Sequence, residues 1–258
     1  MNFKIPRYIA LELVPRALPG VLDEARDALA AFPCISSVNI PEIRTVPIKS
    51  YEPAVLFLKN GIPVTPHFRM IDRSSSELLE KISALVGLGL REVLFIGGDP
   101  DPSVRPSGLS TVEAVAIVKR RFPDLSIYAG LDPYRQSFRE ELDYARRKLD
   151  AGCDGFYTQP FFSIGMLDLW LEQLPGVTVR CGIAPVMSAK SRLYWERTNK
   201  VVFPPRFAFD EKSQAALARA MLSHISEACQ EAYLMPVRIG AKEYLGDVFE
   251  DKNATFQG

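Results

Sequence analysis

Two rhythms of apolar residues alternate along this chain. Short apolar runs, most of them closed by Pro or Gly, have the pattern of strands covered on both faces. Between them, apolar residues recur three and four positions apart, the pattern of amphipathic helices. Tyr8 to Val14 is a first strand, apolar except for Glu12, and Pro15 ends it. Val21, Leu22, Ala25, Leu29 and Phe32 then keep helical spacing. Cys34 to Ile40 is a second strand, and Pro53 to Lys59 a short helix stopped by Asn60-Gly61. Ile62 to Met70 is a third strand containing Pro66 and His67. Ser74 with Glu77, and Ser110 with Glu113, have capping-box spacing and open helices that end at Gly87-Leu88-Gly89 and near Phe122-Pro123. Between those helices, Val93 to Ile96 form a buried strand that stops at Gly97-Gly98-Asp99-Pro100.

The second half repeats the scheme. Leu125 to Ala129, Gly155 to Gln159 and Val177 to Ile183 are predicted strands; Ser137 to Asp150, Ile164 to Leu174 and Ser188 to Thr198 are predicted helices. A long helix capped by Asp210 is predicted to run to Leu234, with Val237 to Ile239 as the last strand and a mobile tail from about residue 247. Eight strands separated by helices require a parallel sheet, and eight such units close into a barrel. The expected fold is therefore α/β: one (β/α)8 TIM barrel domain over residues 1–258. An open doubly wound sheet is the weaker alternative, because Val14 to Gly20 lacks the G-x-G-x-x-G of a dinucleotide-binding first turn.

Composition narrows the class further. With 47% apolar and 24% charged residues, the chain has enough apolar material for a full globular core. A formal net charge of zero gives no reason to expect nucleic acid or an anionic membrane as partner. The four cysteines are far apart with no C-x-x-C pair, so neither a disulfide framework nor a zinc site is expected and a reducing, cytoplasmic setting fits. There is no H-E-x-x-H, no G-x-S-x-G and no Walker loop.

In a barrel, polar residues at the C-terminal tips of the strands meet at one mouth. Here these are Glu12, Asn39, His67, Arg69, Asp99, Gln159 and, beyond the last predicted strand, Lys242. An apolar setting disfavours the charged form of Glu12 and raises its pKa, which suits a general acid. Asp99 alone reads equally well as a helix or turn cap, and His67 equally well as a core histidine. Tyr157, Phe161 and Phe162 read as barrel packing ahead of a stacking platform. His224 and the Arg146-Arg147-Lys148 cluster read as helix surface.

The order of these motifs resembles the methylenetetrahydrofolate reductase family from about Tyr8 to Pro205. Ala10 to Pro15 is similar to the family's F-E-F-F-P segment, Pro66 to Arg69 to its P-H-L-T, and Gly97 to Pro100 to its R-G-D-x-P. Arg146 to Cys153, followed by Thr158-Gln159-Pro160-Phe161-Phe162, resembles its D-A-G to T-Q-x-F-F run, the most specific of the matches, and Cys181 to Pro185 its P-G-I-x-P. The resemblance implies a flavoprotein barrel that uses NADH or NADPH and FAD to reduce 5,10-methylenetetrahydrofolate to 5-methyltetrahydrofolate. It implies Glu12 and Asp99 as catalytic residues and Gln159, Asn39, Asp99 and Phe161 as contacts to a tetrahydrofolate derivative. His67, Gly98, Asp99, Ala129, Arg147 and Lys148 fall at flavin-associated positions.

Departures from the family concentrate on the flavin side. Gly97 replaces its Arg, Leu131 to Arg135 replaces its Y-P-E-x-H, and Asn39 replaces its Thr. A barrel whose pterin side is better kept than its flavin side could bind FAD differently or weakly, or pass hydride directly from nicotinamide to folate. The alternatives are a folate-binding or partner barrel without reductase activity, and a folate-dependent methyl-transfer protein. Assembly into a homo-oligomer is compatible with all of them.

Overall fold

The computed structural model describes residues 3–98 and 109–250. Eight parallel strands form a closed barrel in chain order, and the last pairs back onto the first. They are β1 (Ile9–Glu12), β2 (Ser37–Ile40), β3 (Val64–Arg69), β4 (Glu92–Ile96), β5 (Ser126–Leu131), β6 (Gly155–Pro160), β7 (Thr178–Ile183) and β8 (Glu231–Leu234). The helices are α1 (Leu18–Ala31), α2 (Tyr51–Lys59), α3 (Ser75–Gly87), α4 (Thr111–Arg121), α5 (Phe138–Asp150), α6 (Ile164–Glu172), α7 (Ala189–Thr198), α8 (Glu211–Glu227) and α9 (Ala241–Phe249). The single-domain (β/α)8 barrel expected from the pattern is the fold observed. No helix among the described residues is long and apolar enough to cross a membrane.

Strand alternation splits the core in two. Ile9, Leu11, Val38, Phe68, Phe95, Ile127 and Phe156 point outward and pack under the helices. Ala10, Leu94, Tyr128, Tyr157 and Tyr233 point inward and fill the barrel. The helices start where the sequence supplies caps. Ser74 accepts from the Glu77 amide, and Ser110–Glu113 and Ser137–Glu140 form complete capping boxes.

The C-terminal third departs from the pattern reading. α8 stops at Glu227, and the eighth strand is Glu231–Leu234, not Val237–Ile239. α8 ends without a glycine: Cys229, just past the cap, takes the left-handed conformation at φ 55°. The stop signal is therefore missing from the sequence, and the helical pattern reads on into the strand. α7 and α8 both lie between β7 and β8, and α9 follows β8. α9 also moves the start of the tail. Val248 is fully buried, and the Phe249 ring stacks on Phe3 at 6.0 Å, so residues 247–249 are packed against the barrel. Residues 251–258 lie outside the described part.

Candidate active site

The mouth is organised around Glu12, the last residue of β1. Burial pushes its carboxyl from the ordinary 4.5 up to about 7. One hydrogen bond opposes that rise: Tyr233, on neighbouring β8, donates its hydroxyl to Glu12 Oε2. The Tyr233 ring sits edge-on to Tyr157 at 5.0 Å and to His67 at 6.3 Å.

Beside this pair runs a second polar chain. Asn39 Nδ2 lies 3.1 Å from His67 Nε2, an arrangement in which the amide donates and the ring nitrogen accepts. Burial holds the imidazole neutral, with its pKa lowered to about 3. Asn39 Oδ1 lies 3.3 Å from the Tyr157 hydroxyl. Asn39, the ladder partner of Glu12, is completely buried and its amide is engaged by these two partners.

The interior continues downward into an ion cluster. Arg180 of β7 donates to Glu92 of β4 and to the Tyr157 hydroxyl, and its Nε donates to Glu231 of β8 at 2.6 Å. Its guanidinium stacks on Tyr8 and Tyr128 at 3.9 and 4.1 Å. These groups come from the N-terminal ends of the strands, opposite the mouth, and they hold the floor of the site.

The other expected site residues separate into distinct places. Asp99 lies outside the described residues. Gln159 is half-buried near the tip of β6, where the β6–β7 register shifts between Tyr157 and Pro160. Gly98 has φ +84°, and a Cβ there would lie 3.1 Å from Arg69 Nε and from Ile71 Cγ2. The close approach that requires glycine is thus the Arg69 side chain, which pairs with Asp72 at 3.4 Å. Phe161 belongs to the outer core, whereas Phe162 packs with Trp195 at 5.5 Å and Phe203 at 4.7 Å. Ala129 faces the helices, not the mouth, since Tyr128 and Gly130 occupy the inward positions of β5. Lys242 is exposed on α9 and His224 pairs with Asp168 between helices, so neither reaches the mouth.

Lys148 and Arg147 lie apart from Glu12, on α5. Lys148 is buried, donates to the Gly130 carbonyl at 2.7 Å and pairs with Glu141; burial lowers its pKa to about 8. Arg147 is exposed and lies 5.1 Å from the Tyr144 ring centre, with Arg135 on the same ring at 4.9 Å. These residues, with Gln136, Glu140 and Asp143, line a surface cavity of about 590 Å³. It does not include Glu12. The two places differ in chemistry: a carboxyl whose pKa burial raises can transfer a proton, whereas exposed arginines can bind anions. Pattern reading missed Tyr233, Glu92 and Arg180. For Glu92 and Arg180 the available signal was a single charged residue in an otherwise apolar or uncharged strand.

Comparison with known proteins adds a family. The methylenetetrahydrofolate reductase model matches residues 49–233. The 5,10-methylenetetrahydrofolate reductases of Buchnera aphidicola and Escherichia coli are each 27% identical over 109 residues, covering 41% of this chain. The matched stretch spans only 37% of the length of those relatives. Among solved structures, a 2,3-dimethylmalate lyase superposes with a TM-score of 0.61 at 12% identity over 90% of this chain and 75% of its own. A putative deoxyribose-phosphate aldolase from Toxoplasma gondii reaches 0.57 at 9% identity over 95% and 92%. At such identities these two establish the barrel and nothing of the chemistry.

Proposed function

The chain belongs to the methylenetetrahydrofolate reductase family, and from that premise we propose that it reduces 5,10-methylenetetrahydrofolate to 5-methyltetrahydrofolate with NADH or NADPH. The observation that carries the reading is Glu12, a carboxyl at the tip of β1 bonded by the Tyr233 hydroxyl, whose pKa burial raises to about 7 so that it can hold a transferable proton at neutral pH. Glu12 gives that proton to one of the two nitrogens bridged by the methylene. The protonated nitrogen leaves with the electron pair of its carbon–nitrogen bond, and the other nitrogen's lone pair forms an iminium. Hydride adds to that carbon to make the methyl group. Gln159 faces the folate from the tip of β6, and Asp99 is the second carboxylate in this proposal.

The family implies FAD. On α5, Arg147 and Arg135 flank the Tyr144 ring beside the cavity and would hold the diphosphate of such a cofactor, against Glu140 and Asp143 in the same lining and the Glu141 carboxylate that Arg135 already meets at 2.6 Å. A bound flavin supplies a relay for hydride between nicotinamide and folate. Two further positions fit less well, since Lys148 is engaged by the Gly130 carbonyl and Ala129 is turned to the helices. These favour a second reading, in which hydride passes directly from NADH or NADPH to the folate.

The assay is oxidation of NADH or NADPH that depends on 5,10-methylenetetrahydrofolate. Glu12→Gln should lower kcat by roughly 10² to 10⁴ and leave folate affinity unchanged. Folate binding without nicotinamide oxidation in the unaltered protein would replace the enzyme with a binding protein. Visible absorption of the purified protein separates the two hydride routes: a flavin band near one equivalent rules out the direct one.

A further inference from the structure

Among the described residues Glu12 has one hydrogen-bond partner, Tyr233, and it lies in the strand that the pattern reading placed inside a helix. We infer that Tyr233 is a positioning residue for Glu12: its hydroxyl fixes which carboxyl oxygen faces the substrate and keeps the acid ready to give up its proton. This rests on the reading of Glu12 as the proton donor.

The geometry comes first. Tyr233 is opposite Ala10 in the β1–β8 ladder, so it and Glu12 are inward-facing neighbours one step apart on adjacent strands. The Tyr233 ring has little freedom. It is 3% exposed and sits against Tyr157 and His67, and Tyr157 is itself held by Glu92 at 2.9 Å and by Arg180. Its hydroxyl therefore arrives from a fixed direction. Donation to Oε2 uses a lone pair of that oxygen and leaves Oε1 as the site of the acidic proton.

The energetics follow from the same bond. A phenol donates more strongly to a carboxylate than to a neutral acid. Burial raises the carboxyl's affinity for its proton, and the Tyr233 bond works against that rise. As the proton leaves Oε1 for the folate nitrogen, the O–H bond breaks, its electron pair stays on the carboxylate, and the Tyr233 bond strengthens on the developing charge. The interaction is thus worth more after transfer than before it, which is the requirement for assisting the step.

Other groups near Glu12 leave this role to Tyr233. His67 from β3 is neutral, Asn39 from β2 is an amide, and Tyr157 from β6 is a phenol whose pKa burial keeps well above its ordinary value. Arg69 at the tip of β3 pairs with Asp72. Glu92, Arg180 and Glu231 are joined to one another at the opposite end of the interior. Gln159 on β6 is uncharged, and Asp99 lies outside the described residues.

The test reads Glu12 directly, by carbon-13 NMR of glutamate-labelled protein across pH, with Glu12→Gln assigning the signal. Tyr233→Phe keeps the ring and removes the donor, and it should move the Glu12 midpoint up by about one pH unit or more. Replacing Tyr233 with a difluorinated, more acidic tyrosine should move it down, and that substitution perturbs packing least if the phenylalanine variant folds poorly. Where turnover is measurable, the high-pH fall in kcat/KM should follow the midpoint in both variants while KM for folate stays put. A midpoint that ignores both substitutions overturns the inference. Absence of turnover in the unaltered protein would overturn the reductase reading alone, because the NMR midpoint still decides the role of Tyr233.

Discussion

Glu12 joins two demands in one side chain, burial and a proton it must be able to lose. Its folded-state pKa of about 7 against an ordinary 4.5 means that the folded protein holds this proton more tightly than the unfolded chain does. The stabilising contribution is therefore complete below the ordinary carboxyl range and is lost as pH rises through about 7. Glu12→Gln removes the ionisation and keeps an acceptor for Tyr233. We expect the variant to match the unaltered protein in urea unfolding at pH 4.5 and to exceed it by up to about 3 kcal/mol at pH 8.5. A stability difference that does not change with pH would mean that Glu12 titrates normally. At this scale the sequence was partly legible. Glu12 stood out as the single charged residue of its strand, and its role follows from that setting. Asn39 carried no such signal: an amide at a strand tip looks the same whether it meets solvent or is covered by His67 and Tyr157. Tyr233 was hidden for another reason, since tyrosine fits a helix, a strand or a core equally well.

Elements were legible wherever a local signal ended them. Ser74 and Ser110 cap the helices they were expected to cap, and Ser137 does the same unforeseen, because hydroxyl and amide need only three residues of chain to meet. β8 was misplaced because the turn before it relies on Cys229 in a conformation usually given to glycine. Once the register had slipped there, Glu231 and Tyr233 were assigned to a helix, and the partner of Glu12 disappeared with them. Contacts between strands were not legible at all. Gly182 in β7 shows why: a Cβ there would lie 2.6 Å from the Thr158 carbonyl oxygen, 2.7 Å from Met235 Cε and 2.9 Å from the Gln159 carbonyl carbon. Two of those atoms are backbone and cannot turn aside. Gly182→Ala must therefore part β6 from β7 at the point where their register shifts, directly beneath Gln159. The expected cost is about 1–3 kcal/mol, seen as a lower melting temperature and weaker folate binding together. Loss of stability with folate affinity intact would detach Gln159 from the site.

At the scale of the whole molecule, the barrel is closed twice, once by its backbone ladder and once by the side chains inside it. The lower interior takes a residue from each of β2 to β8, with Tyr8 just ahead of β1: Ser37, Thr65, Glu92, Tyr128, Tyr157, Arg180 and Glu231. Tyr8 bonds Ser37 across β1 and β2 at 2.6 Å, and Thr65 donates to Glu92 across β3 and β4 at 2.7 Å. Arg180 then gathers Glu92, Tyr128, Tyr157 and Glu231, under the face of Tyr8. One cation thus serves two carboxylates and three aromatic faces, and Tyr157 passes the rigidity of this floor up to Tyr233 and the mouth. A hydrophobic residue of similar length cannot replace it, because Glu92 would stay behind as a largely covered carboxylate with its main counter-charge gone. Arg180→Met should cost about 3–5 kcal/mol, read from urea unfolding at neutral pH. Adding Glu92→Gln removes the abandoned charge, so the double variant should be more stable than Arg180→Met alone even though it carries one more substitution. The two changes would then be coupled through contact and not additive. Additive losses in that cycle would show that the cluster fills space without acting as an ion network. The dependence of the mouth on its floor would then reduce to packing among Tyr8, Tyr128 and Tyr157.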